Sequence, residues 1–311
     1  ANAYFEQVIE RVPTFPDVYR GHSDLYTHAL NVNAAGIPIE ELISEDVATA
    51  YQIAIADHSA AALHSTSATE KVILELDLAY FSGEWQGLDR RIERALATTG
   101  CESSNWLQVI ADVFGYTEQY IERASRVLAC DPRRSLSWFN LARSTLRSGD
   151  NAEAVRIARE GMATAPGEWL RTALVRSLVA NGQFDEALAE TDKQFEDLDA
   201  ELKFKALIAA AMGDQALFDE EFKKFKVANT TGNEWLLIAA AWGGKREEAN
   251  RAAASMDQHP FGSIALSQLS QWCACGHPFD LEVTPNLAAK LEESGMPWPP
   301  KSIMEYPLKD W

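Results

Sequence analysis

Between Ser135 and Thr164 the apolar residues fall one helical turn apart, in two runs separated by Gly149-Asp150. Positions three and four apart share a helix face. The pattern therefore predicts two amphipathic helices, about Ser135–Ser148 and Asn151–Thr164, folded back on each other at the glycine. Small residues at Ala142 and Ala154 let the two helices approach closely, and Pro166 ends the second. Apolar stretches elsewhere are rich in Ala and Leu, and few segments combine Val, Ile and Thr, which favours helices over strands.

The pair recurs. Gly149, Gly182, Gly213, Gly244 and Gly276 stand 33, 31, 31 and 32 residues apart, a period that belongs to stacked helical repeats. Further units align on the same turn: Thr69–Thr98 around Gly83, Asn105–Asp131 with a shorter turn, Glu168–Leu198, Leu202–Ala228 and Asn233–Gln258. At the N-terminal end, Ala3–Arg11 reads as the second helix of an incomplete repeat and Pro16–Leu30 as the next first helix. An insertion with Gly36 and Pro38 then leads into a long helix over Glu40–Leu63. Near the other end, Thr284 and Pro285 suit the cap and first position of a helix running to Ser294. The proline-rich ending GMPWPPKSIMEYPLKDW cannot be helix and is expected to pack as a strap on the last repeat. The expected organisation is one solenoid over residues 1–300, of about eight to nine helix pairs, with the strap at 295–311.

Trp138, Leu141, Ala142, Gly149, Ala154, Gly161 and Pro166 fall at the offsets of the tetratricopeptide (TPR) consensus, which this unit resembles. The resemblance implies an all-α, right-handed superhelical solenoid of antiparallel helix pairs that binds a protein or peptide. A narrower likeness lies in YFEQVIERVPTFPDVYRGHSDLY, FSGEWQGLDRRIERAL and the PWPP…YPLKDW ending. These resemble the C-terminal TPR region of bacterial signalling proteins, where it follows a CadC-like winged-helix domain or an adenylate-cyclase-type domain. That likeness implies a sensory or adaptor region. Its compartment is periplasmic if a membrane helix lies upstream and cytoplasmic if not.

In the TPR family the first helix of each repeat lines a concave groove. Carried onto this sequence, the groove positions include Phe139, Asn140, Arg143 and Arg147, then Trp169 and Arg176, then Lys203 and Phe204, then Trp235 and Trp242. From Asp131 to Ala180 there are eight arginines against five acids, a local excess of +3 in a chain of net charge −18. Guanidinium groups grip carboxylates in pairs of hydrogen bonds, and aromatic rings supply anchors. The set thus points to an anionic peptide segment as ligand. The bland alternative is that the arginines pair with neighbouring acids on solvated helices. Homodimerisation through the incomplete first repeat stays open as an alternative function.

The overall acidity argues against direct nucleic-acid binding, because phosphate backbones are repelled. No apolar run is long enough to insert in a membrane. Cys101, Cys130, Cys273 and Cys275 give no secreted disulfide framework, and their number fits a reducing compartment without excluding the periplasm. The Cys273-Ala-Cys275-Gly-His277 stretch lacks the paired spacing of a structural zinc site, so no metal or other cofactor is expected. His22 and His28, like His58 and His64, are six apart, which does not place them on one helix face, and they read as polar-face or helix-end residues. With no nucleophile motif, phosphate loop or zinc-protease motif, the chain reads as a binding module and not an enzyme.

Overall fold

A computed structural model describes residues 2–34, 36–193, 198–228, 233–257, 259, 261–262, 279–296 and 306–308. Sixteen α-helices and no strands occur among them. Helix α1 is Asn2–Arg11, α2 Pro16–Ala34, α3 Val47–His64, α4 Ala68–Phe81, α5 Leu88–Leu96, α6 Asn105–Val113, α7 Thr117–Cys130 and α8 Ser135–Arg147. Then follow α9 Asn151–Thr164, α10 Glu168–Ala180, α11 Phe184–Thr191, α12 Leu198–Met212, α13 Gln215–Ala228, α14 Asn233–Trp242, α15 Arg246–Asp257 and α16 Pro285–Ser294.

Local chemistry sets the helix limits. Asp46, Ser67, Ser104 and Asp150 each accept a hydrogen bond from the backbone amide three residues on, capping α3, α4, α6 and α9. The chain then reverses at Gly149 and Gly182 with φ of 87° and 73°, a region a side chain rarely enters. Each even-numbered helix from α2 to α14 packs on the odd-numbered helix after it, and α4, α6, α8, α10, α12 and α14 touch in series. This is the TPR-like arrangement: one layer of first helices, one of second helices. Where the layers are tightest, Gly161 of α9 lies so near α8 and α10 that an added Cβ would stand 2.7 Å from Trp138 and 2.8 Å from Leu170.

Several expectations change. The long helix over Glu40–Leu63 is shorter: a 3-10 turn, Ile39–Glu41, comes first, and Asp46 starts α3 only at Val47. Thr284 holds the N-cap position of α16 with Pro285 at its start, but its hydroxyl donates to the Leu281 carbonyl and does not bond the helix amides. The carboxylate of Asp257 does so from another helix, accepting the amides of Asn286 at 3.2 Å and Leu287 at 2.8 Å. Cys101 and Cys130 form a disulfide across 29 residues, tying the loop after α5 to the end of α7. Cysteine count could not reveal this, because proximity comes from the stacking of two repeats. His22 and His58 are 5% and 1% exposed, not on a polar face. They sit between α1, α2 and α3, where His22 contacts Asn2 at 2.5 Å and Asp57 at 2.7 Å, and His58 contacts Ser23 at 2.5 Å.

The two ends of the array meet. Lys290 of α16 donates to the Gly83 carbonyl at 2.9 Å, and His259 meets Asn33 at 2.9 Å, 226 residues away. Phe261 stacks on Phe81 with centroids 5.8 Å apart and meets Tyr51 edge-on at 6.1 Å. Period alone predicts neighbours along the array, and this closure joins elements that are not neighbours.

Candidate binding groove

Helix α8 is buried on all its faces from Ser137 to Arg147, whereas α9 buries a single stripe of Ala154, Val155, Ile157, Ala158 and Gly161. A first helix packed on its partner and on two other first helices still has one face left over. On α8 and α10 that face carries Asn140, Arg143, Ser144, Arg147, Thr172 and Arg176, polar side chains that are nonetheless buried. Charges in such a setting need partners.

The fold brings the expected groove residues into one row. The Arg143 guanidinium lies 4.6 Å from the Phe139 ring centre, and Phe139 meets Trp169 of α10 at 5.9 Å. Arg176 lies 5.4 Å from Phe204 of α12 and 5.5 Å from Trp235 of α14, and the Lys203 ammonium sits 3.5 Å from the same Trp235 ring. These are cation–π distances. Trp242 closes the row against Tyr306, edge-on at 6.5 Å. Exposure corrects the picture of an open surface. Arg143, Arg147, Arg176 and Lys203 are only 1–8% exposed, and of the row Trp169 alone, at 61%, stands well into solvent.

Two residues that sequence reasoning missed organise the row. Asp112, on the apolar helix α6, is fully buried and lies 3.9 Å from the Arg147 Nε, and it accepts from Ser144 at 3.0 Å. Burial raises its pKa, and Arg147 and Arg143 oppose that rise. A lone acid inside an apolar helix was the available signal. Tyr306, from the proline-rich ending, is 8% exposed and hydrogen-bonds Arg176. Burial pulls Arg176 down to about 10 and Arg143 down to about 9, with Tyr306 and Asp112 respectively working against it. Both remain cations at neutral pH.

Two other arginines of the stretch, Arg156 and Arg159, answer to the bland alternative. Arg156 pairs with Glu153 and Glu160, and Arg159 with Glu186, all at 2.6 Å on exposed surface. Among the described residues no cluster of three His, Cys, Asp or Glu could hold a metal, and no helix is long and apolar enough to cross a membrane. Cys273, Cys275 and His277, and most of the expected strap, lie outside the described residues.

Comparison with family models finds no match, and comparison with curated proteins finds none either. Among solved structures, a tetratricopeptide repeat protein from Parabacteroides merdae is similar, with 12% identity over 71% of this chain and 92% of that one, at a TM-score of 0.49. The TPR-like assignment rests on the helix pairs and their glycine turns, and not on that similarity.

Proposed function

We propose that this chain is a protein- or peptide-binding helical-repeat module, and that its concave arginine–aromatic row takes an anionic or hydroxyl-bearing extended segment. One observation carries the reading: Tyr306, from the chain's own ending, already stands against Arg176 and Trp242 in that row. A partner segment would put an acidic side chain where the tyrosine hydroxyl now sits, and a carboxylate binds a guanidinium more strongly than a neutral hydroxyl does. As the narrower resemblance implies, the module would serve as the sensory or adaptor part of a larger bacterial regulator. The Cys101–Cys130 disulfide favours an oxidising compartment, and so the periplasmic alternative.

The test is fluorescence anisotropy with a labelled Glu-rich peptide, on the full chain and on a chain ending at Met296. Shortening should tighten binding, and Arg176→Gln in the shortened chain should weaken it about tenfold or more. Equal affinity with and without Arg176, in proteins shown to be folded by circular dichroism, would sink the reading.

Homodimerisation keeps a specific observation in its favour. Helix α1 buries no residue, and Tyr4, Val12 and Phe15 at and beyond it are 70%, 47% and 45% exposed. If this face joins two copies, light scattering will give twice the monomer mass, and Tyr4→Ser with Phe15→Ser will halve it.

A further inference from the structure

A cavity of about 690 Å3 lies between the N-terminal first helices and the rim of α8 and α10. That volume is within the usual range for small-molecule sites, about 300–1,000 Å3. It shares Phe139, Asn140, Arg143 and Trp169 with the arginine–aromatic row, but Arg147, Arg176, Lys203 and Trp242 do not line it.

Its walls carry charges of both signs, with Arg20 and His28 beside Asp24 and with Glu168 at the start of α10. Asp24 of α2 and Asp77 of α4 supply two carboxyls, and the Asp24 charge helps to raise the Asp77 pKa. Arg134 and Arg143 supply two guanidiniums from α8 and its approach, and Trp106, Phe139 and Trp169 supply apolar surface. Several polar walls already have partners, Arg143 among them, which lies on Phe139. Arg20 is held by Asp17 at 3.0 Å and Glu70 at 3.1 Å, and the His58 ring is bound to Ser23.

Asp77 is the residue that points to a ligand. Its side chain is 2% exposed and lines the cavity, and Ser104 hydrogen-bonds the carboxyl. Yet its Oδ1 is buried and has no hydrogen-bond partner. A buried acceptor left without a donor destabilises a fold, and such groups in native proteins call for an explanation. A donor carried in by a ligand supplies one.

We propose that this cavity binds a small zwitterion with an apolar body, of the amino-acid or short-peptide class, with its ammonium on Asp77 and Asp24 and its carboxylate toward Arg134 and Arg143. The ammonium donates to the orphaned Oδ1, and the apolar body lies against Trp106, Phe139 and Trp169. Burial pushes the Asp77 carboxyl up to about 8, and an ammonium beside it favours the ionised form. The site discriminates by charge at both ends of the ligand, which a purely apolar pocket cannot do.

Calorimetry on the full chain tests this with four probes: phenylalanine, its dipeptide, phenethylamine and 3-phenylpropionate. One of the two zwitterions should bind about tenfold or more tighter than either singly charged probe, and which one it is fixes the charge spacing. Asp77→Asn should weaken that zwitterion about tenfold, and so should Arg134→Gln. Trp169→Ala, at an exposed position that leaves the core intact, should weaken it severalfold. No heat from either zwitterion, singly charged probes that bind as tightly, or unchanged affinity in Asp77→Asn would each overturn the proposal.

Discussion

Two sets of arginines from one stretch of chain end in opposite environments. Arg156 and Arg159 of α9 lie on the outer layer, about half exposed, each on one or two glutamates. Arg143, Arg147 and Arg176, from α8 and α10, face inward and are buried with Asp112, Tyr306 and aromatic rings. The residue type and the spacing are alike. What differs is the helix of the pair that carries them, and so whether water or protein solvates the charge. An exposed ion pair competes with water and is worth little, whereas a buried one is expensive to break because the survivor is stranded.

The largest effect that could break this comparison is at Arg147. Removing it by Arg147→Ala leaves the fully buried Asp112 beside an apolar gap, and should cost about 3–5 kcal/mol in chemical denaturation. Replacing both partners, with Asp112→Leu and Arg147→Met, should recover most of that loss. A cost below about 1 kcal/mol for the single change would place Arg147 with the outer arginines.

Next in size is the disulfide, which joins the end of the outer helix α7 to the loop after α5 and so fixes the outer layer by covalent means. Closing a 29-residue loop is worth about 3–4 kcal/mol by chain entropy. Reduction, or Cys101→Ser with Cys130→Ser, should lower the denaturation midpoint accordingly. An unchanged midpoint under reductant would show that the thiols do not pair.

The inner face should also respond to pH in a way the outer face does not. Asp77 is raised by burial from 3.8 to about 8, with Asp24 adding to the rise and Ser104 and Arg20 opposing it. The folded state therefore holds this proton more tightly than the unfolded state. Its contribution to stability is full below about pH 4 and is lost as pH climbs toward 8. Asp77→Asn cannot ionise, so its Tm should exceed that of the natural protein at pH 8 and match it at pH 4. His58, depressed by burial from 6.5 to about 4, works in the other direction, its contribution fading as pH falls through that window. Because His58 is common to both proteins, their difference isolates Asp77.

The smallest effect belongs to the outer set. Arg156→Ala should change stability by no more than about 0.5–1 kcal/mol, less still in high salt. Thermal melts at low and high ionic strength will show it. A larger loss would mean that the outer network stiffens the array as the inner one does.

Much of the fold was legible because each repeat solves the same local problem. Ala142 and Ala154 pack at full burial, Gly149 takes the left-handed turn, and α9 spans the residues its pattern predicts. The start of α3 was misplaced because the acids at Glu40 and Glu41 look like helix surface, while Asp46 holds the actual cap. The residues expected to line a groove meet one another in contacts, and their low exposure was not legible. The family's groove positions, carried onto this sequence, put Arg143, Arg147 and Arg176 on the face left over by the repeat packing, and they are silent on what lies over that face.

Sequence by itself determined the helix pairs and their turns, since these follow from interactions within some thirty residues. Tertiary structure alone decided that α16 returns to Gly83, that Cys101 reaches Cys130, that Tyr306 stands on Arg176, and that the buried Asp77 lines a cavity. Each of these brings together groups from different repeats. Their proximity is set by how stacked repeats curve, a property summed over many small rotations and written in no single unit.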